Sequence, residues 1–169
     1  SIDSRCIHAN KIQTLKLFEE EFDVLIVLDT DIIVLNDFSN LIDEEKIRAV
    51  QDDVDPLGLD NWKTLFEHFG LKMPNERFNS YLNWEKTIPY FNTGVLFIPQ
   101  TYVTELYEKW KYYVVQLLDA YEKFPVIAKS SFWTDQIAFT LAIHDGIFPY
   151  SPLPLEMNFP THVKLHPNC

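Results

Sequence analysis

Asp29 and Asp31 stand two residues apart inside FDVLIVLDTDIIVLNDF, residues 22–38, where an Asp-Thr-Asp interrupts two apolar runs. In extended chain, side chains two apart share a face, so the two carboxylates project together. Held close and ionised they repel, and burying either one unpaired is costly. A bound divalent cation removes that repulsion. The same three residues also suit a solvated turn between two hydrophobic strands, so spacing alone leaves a cation site and a turn both open.

Further groups of this kind follow. Asp52, Asp53 and Asp55 come directly after a short apolar run, Ile47 to Val50, and offer either contacts to substrate hydroxyls or a solvated loop. In YFNTGVLFIP, residues 90–99, Asn92 carries both a donor and an acceptor. Gly94 there permits close approach of a ligand or another backbone, or marks a bulge. Asp135 opens a helical pattern, where a carboxylate can simply complement the helix dipole. Tyr81 and Trp84 lie in a polar stretch, either lining an acceptor cleft or anchoring the loop.

These groups need a scaffold, and periodicity supplies one. Val24 to Leu28 is apolar throughout and predicts a strand covered on both faces, as in a parallel sheet. Asp29 and Asp31 then sit at its carboxyl end, the edge where open α/β sheets bind ligands. Ile32 to Leu35, Ile47 to Val50 and Val95 to Ile98 predict further strands. Helices are expected over Ala9 to Glu21, from an Asp60 cap to Gly70, over Thr101 to Leu118, and from a Thr134 cap to about His144 with a stop at Gly146. Ser39 reads as the cap of a helical turn over Leu41 and Ile42. Residues 71–90 and the proline-rich tail read as loops, with Val163 to Leu165 a possible last strand.

Composition narrows the class. With 169 residues and 47% hydrophobic content the chain suits one globular domain, residues 1–169. A formal net charge of −11 opposes nonspecific binding to nucleic acid or an anionic membrane. No apolar run reaches transmembrane length and no signal-peptide pattern opens the chain. Cys6 and Cys169 read as free thiols. There is no GxGxxG, P-loop, GxSxG, CxxC pair or HExxH, which leaves acid-rich metal chemistry at strand ends.

Taken in order, Lys11, VLIVLDTDIIVLNDFSNLI, AVQDD, YFNTGVLFIP, TDQIAFTLAI, LPLEMNF and VKLH resemble glycosyltransferase family 8, the glycogenin and lipopolysaccharide galactosyltransferase group, over nearly the whole chain. The resemblance implies an α/β fold of the GT-A type, a Rossmann-like, mostly parallel sheet flanked by helices. It implies transfer of a hexose from a nucleotide-sugar donor, a UDP-sugar, to a hydroxyl of a carbohydrate, protein or lipid-linked acceptor, with retention of configuration. By the same likeness Asp29, Asp31 and His166 hold the cation, with His162 as a competing ligand. Carboxylates suit Mg²⁺ or Mn²⁺, and an added imidazole favours Mn²⁺. Lys11 lies beside the donor, Asp52 or Asp53 contacts the sugar, Asn92 sits at the reacting centre, and Asp135 with Gln136 forms the pair at the donor sugar.

Two departures from the family pattern stand out. Its nucleotide-binding βα unit has no counterpart before Ser1, which implies an incomplete fragment. After the histidine the family continues with glycine and a phosphate-binding lysine, where this chain reads Pro167, Asn168, Cys169. Three alternatives use similar residues: a haloacid-dehalogenase-like phosphatase, whose Thr position is here Ile33; a nucleotidyltransferase, whose Gly-rich basic loop is not found; and a noncatalytic sugar-binding domain.

Overall fold

A computed structural model of the 169-residue chain describes residues 2–17, 21–161, 164 and 167. After a 3-10 helix, Ile7–Lys16, come β1 (Val24–Leu28), β2 (Ile47–Gln51) and α1 (Gly58–His68). A two-residue pair follows, β3 (Phe78–Asn79) with β4 (Lys86–Thr87), and then β5 (Phe91–Pro99) and α2 (Gln100–Ala120). The chain goes on through α3 (Pro125–Ala128), α4 (Thr134–Gly146), β6 (Tyr150–Leu153) and a 3-10 turn, Leu155–Asn158.

The α/β class expected from sequence holds, but the sheet is mixed rather than mostly parallel. Its order is β1-β5-β2-β6. β5 runs antiparallel to β1 and to β2, while β6 runs parallel to β2. Three strands therefore point one way and β5 opposes them. A continuous apolar run reports burial on two faces and says nothing of direction, and the strand that meets that description is β5. Between its two neighbours it is buried from Thr93 to Pro99. In β1, at the edge of this sheet, Leu25 and Val27 are buried while Val24 and Ile26 are half-buried.

The two faces of the sheet are covered unequally. Leu25, Val27, Ile47, Ala49, Leu96 and Ile98 pack toward the large core beneath α1, α2 and α4. α4 is buried at every position from Ile137 to Ile143, as expected for a helix enclosed on all sides. On the opposite face, Val50, Val95, Phe97 and Leu153 meet Ile32, Phe38, Leu41, Leu155 and Met157 from loops and 3-10 turns. No helix among the described residues is long and apolar enough to cross a membrane.

Several local expectations are corrected. Residues 32–35 form no strand, and Ile33 and Leu35 stand 80% and 84% exposed. The first helix is 3-10 and ends at Lys16. Asp37, not Ser39, caps the turn at 39–41, its Oδ1 accepting the Ser39 N–H at 2.9 Å. Asp55, not Asp60, takes that role for α1, since its Oδ1 accepts from the backbone N–H groups of Leu57 and Gly58 and from Trp62 Nε1. The Thr134 hydroxyl bonds Ser131 O rather than capping α4. Gly70 does end α1 in left-handed conformation, with φ 67°. The left-handed residue after α4 is Ile147, and Gly146 is small because the Phe148 ring lies where a Cβ would be. Tyr150–Leu153 is a strand where a loop was expected, and Val163 to Leu165 falls at least partly outside the described residues.

His144 near the end of α4 lies against the rings of Phe66 and Tyr150, with its Nε2 buried and unpartnered among the described residues. Burial lowers its pKa from 6.5 to about 4, partly opposed by the Pro89 carbonyl. The folded state thus prefers neutral imidazole, and its contribution, present above pH 6.5, is lost as pH falls toward 4. The loss is roughly 3 kcal/mol. In urea unfolding at pH 7 and pH 4.5, His144→Phe should lose markedly less stability on acidification than the parent; an equal loss would place the acid-sensitive group elsewhere.

Candidate functional site

The strand directions bring the singled-out residues to one edge of the sheet. β1 and β2 end there, β5 begins there, and β6 leads there into the Leu155–Asn158 turn. Pairing between β5 and β1 is regular, Leu28 opposite Val95, and continues in an Asp29 N–H to Gly94 O bond of 2.8 Å. Pairing between β5 and β2 is not. Ala49 faces Leu96 but Gln51 faces Phe91, so two steps along β2 span five along β5. The surplus falls on Asn92, Thr93 and Gly94. A bulge of this kind re-aims side chains, and here it turns this stretch toward the acids of β1.

A cleft of about 490 Å³ opens at this edge. Asp29, Asp31, Asp53 and Glu156 supply its acids, Gln51, Asn92 and Asn158 its amides, and among the described residues no cationic side chain lines it. Ile33, Leu35 and Phe159 make an apolar rim.

Lys11 approaches from the 3-10 helix behind this wall. Its Nζ lies 2.8 Å from Asp29 Oδ1 and 3.0 Å from Oδ2, and 3.8 Å from Oδ2 of Asp135. Thr93 Oγ1 donates to that same Asp135 oxygen at 3.1 Å, and Trp110 Nε1 donates to the Asp135 carbonyl at 2.8 Å. Asp135 is only 4% exposed. An isolated carboxylate at that depth would be very costly, and Lys11 with Thr93 compensates it. Gln136 accepts from the buried Tyr90 hydroxyl at 2.8 Å. Burial and the surrounding acids raise the Tyr90 pKa, so that hydroxyl stays a donor.

Asp52 points away from the cleft and is 3% exposed, while Asp53 lines it. Burial first, then the hydrogen bond and charge of Asp53, push the Asp52 pKa up to about 8. At neutral pH burial and the neighbouring Asp53 thus favour the protonated form of Asp52.

The structure therefore unites Lys11, Asp29, Asn92 and Asp135 in one network and sets Asp29, Asp31, Asp53 and Asn92 on the cleft. Asp52, Asp135 and Gln136 stand behind it. His166 and His162 lie outside the described residues. Among the described residues no three carboxylate, imidazole or thiol groups converge to hold a metal ion. Sequence reasoning passed over Gln51, Glu156 and Asn158 as site residues. The only pointer to the last two was their place in LPLEMNF, which has no period or motif of its own.

Comparison with known families places this chain among the glycosyltransferases. The matching model is the Rhodobacterales glycosyltransferase domain, which covers residues 2–146, and the chain belongs to that family. No curated protein and no solved structure matches it. Membership supports a transferase that takes a sugar donor and an acceptor, and sets aside the phosphatase and nucleotidyltransferase alternatives.

The protonated Asp52 carries a stability signature opposite to that of His144. Because its folded pKa is raised from 3.8 to about 8, its contribution is full below pH 3.8 and is lost as pH rises through 8. Asp52→Asn, which keeps shape and a donor, should therefore lose less stability than the parent between pH 6.5 and 8.5 in urea unfolding. Identical slopes would mean that Asp52 is ionised in the folded protein.

Proposed function

We propose that the cleft binds a nucleotide-sugar donor, a UDP-sugar, through a divalent cation and passes its hexose to an acceptor hydroxyl, with retention, in the manner of a GT-A enzyme of glycosyltransferase family 8. The acceptor is a carbohydrate, a protein or a lipid-linked sugar. One observation carries the reading: four carboxylates and, among the described residues, no cationic side chain line the cleft. A diphosphate meets repulsion there unless a cation stands between.

The donor set fits such a cation. Mg²⁺ in nucleotide sites takes one or two carboxylates plus substrate phosphates rather than an all-protein cage. Asp29 and Asp31 offer two carboxylates, and the lack of a three-residue cluster among the described residues agrees with phosphate filling other positions. His166 is the further ligand this reading expects, and its imidazole would favour Mn²⁺. When bound, the cation stabilises the charge that grows on the departing diphosphate.

The chain's own residues have separate tasks. Lys11, in contact with both Asp29 oxygens, would give its ammonium to a diphosphate oxygen if Asp29 served the cation. Asp53, which lines the cleft, accepts from a sugar hydroxyl. Asp135 holds Lys11 and Thr93, and its burial argues against a role as nucleophile. This favours attack by the acceptor hydroxyl on the face the phosphate leaves, with the hydroxyl proton passing to the departing phosphate oxygen.

Thermal unfolding tests the first step: Mn²⁺ with UDP should raise the melting temperature by several degrees, and UDP alone should not. No shift with the two together would sink the reading. Asp31 is exposed and its replacement spares the core, so Asp31→Asn should fold normally and lose roughly a hundredfold or more in sugar transfer. Transfer at the parent rate would count against the cation site.

A further inference from the structure

Asn158 closes the short turn after β6, Leu155–Asn158, and only its place in LPLEMNF marks it in the sequence. Its Nδ2 donates to Asn92 Oδ1 at 2.8 Å, and the Gly94 N–H donates to the same oxygen at 2.7 Å. Two N–H donors on one oxygen fix which way the Asn92 amide faces. Asn92 must present its NH₂ group elsewhere, and Asn158, having spent its nitrogen on Asn92, presents its carbonyl. Both residues line the cleft. Neither Asn92 Nδ2 nor Asn158 Oδ1 is among the enclosed polar atoms without a partner in the described structure.

We propose that Asn92 and Asn158 form a neutral amide pair that recognises neighbouring hydroxyls of the transferred hexose, with Asn158 setting the direction of the pair. The inference rests on the donor reading above and names the part of the donor that the pair contacts. A sugar hydroxyl both donates and accepts, so an N–H beside a C=O matches two adjacent hydroxyls. A phosphate oxygen only accepts and would leave the Asn158 carbonyl unsatisfied. The carboxylates thus serve the charged end of the donor and the amide pair its sugar.

Gly94 makes the pair possible. A Cβ there would fall 2.9 Å from Asn158 Nδ2, 3.0 Å from Asn92 Oδ1 and 3.2 Å from Asp29 Oδ2. Any side chain at this position would push the two amides apart. The same distances place the pair next to the first Asp of the Asp-Thr-Asp, so a hexose held there sits beside its own diphosphate.

Calorimetric titration in Mn²⁺ tests this, with UDP, UDP-glucose, UDP-galactose and the nucleotide-free methyl α-glucoside and methyl α-galactoside as probes. The parent should bind one UDP-hexose roughly tenfold or more tighter than UDP, the size of effect expected of two polar contacts. Asn158→Leu should abolish that preference and leave UDP binding unchanged. A parent that binds UDP and both UDP-hexoses alike, or an Asn158→Leu protein that keeps the preference, overturns the amide pair and leaves the donor reading standing. If the parent binds neither UDP nor a UDP-hexose, the donor reading fails. In that case a methyl hexoside bound by the parent and lost in Asn158→Leu still supports the pair, and no hexoside binding overturns it too.

Discussion

The contact on which the site depends is that of Lys11 with two aspartates at different depths. Asp135 belongs to a helix buried almost throughout, where a carboxylate without a partner would be costly. Asp29 sits at the rim, half-buried, on the edge strand. One ammonium reaches both, at 2.8 Å and 3.8 Å. It thereby ties the first 3-10 helix and the end of β1, 18 positions apart, to the start of α4, far along the chain.

The second constraint is the slip between β5 and β2. Strand β5 must pair regularly with β1 to bring Gly94 against Asp29, and it must leave β2 to let Asn92 and Thr93 turn aside. Thr93 then faces Asp135 and Asn92 faces the cleft. Extended β pairing on both sides would alternate these side chains strictly between the two faces. The bulge relaxes that alternation where chemistry needs it, and Gly94 allows the crossing because it has no side chain to accommodate.

Much of this was legible in the sequence because it is local. The apolar runs located β1, β2 and β5, the stripe from Val103 to Leu118 located α2, and the paired aspartates lie at the edge of the sheet where the cleft opens. Strand direction was not legible, since apolar composition reports burial and not orientation. The run from Ile32 to Leu35 misled for the same reason: it is apolar yet largely exposed along the rim of the cleft. Asn158 was out of reach because its meaning comes from a contact with a residue 66 positions away. The depth of Asp52 and Asp135 was also hidden, because a carboxylate on the page looks the same whether it faces water, a lysine or a second carboxylate.

That difference in depth decides which acids a ligand can use. Of the carboxylates around the cleft, Asp135 is engaged below the surface, Asp52 carries a proton, and Asp29 has both oxygens against Lys11. Asp31, Asp53 and Glu156 remain on the cleft without that ammonium. A cation arriving alone would therefore find one aspartate of the pair already satisfied, and would have to compete with Lys11 for it. A cation that came with a diphosphate would, on the donor reading, meet less of that contest, because the phosphate would offer the Lys11 ammonium another partner. On the donor reading, metal and nucleotide should bind interdependently, and the reason lies in the lysine that makes the site foldable without either.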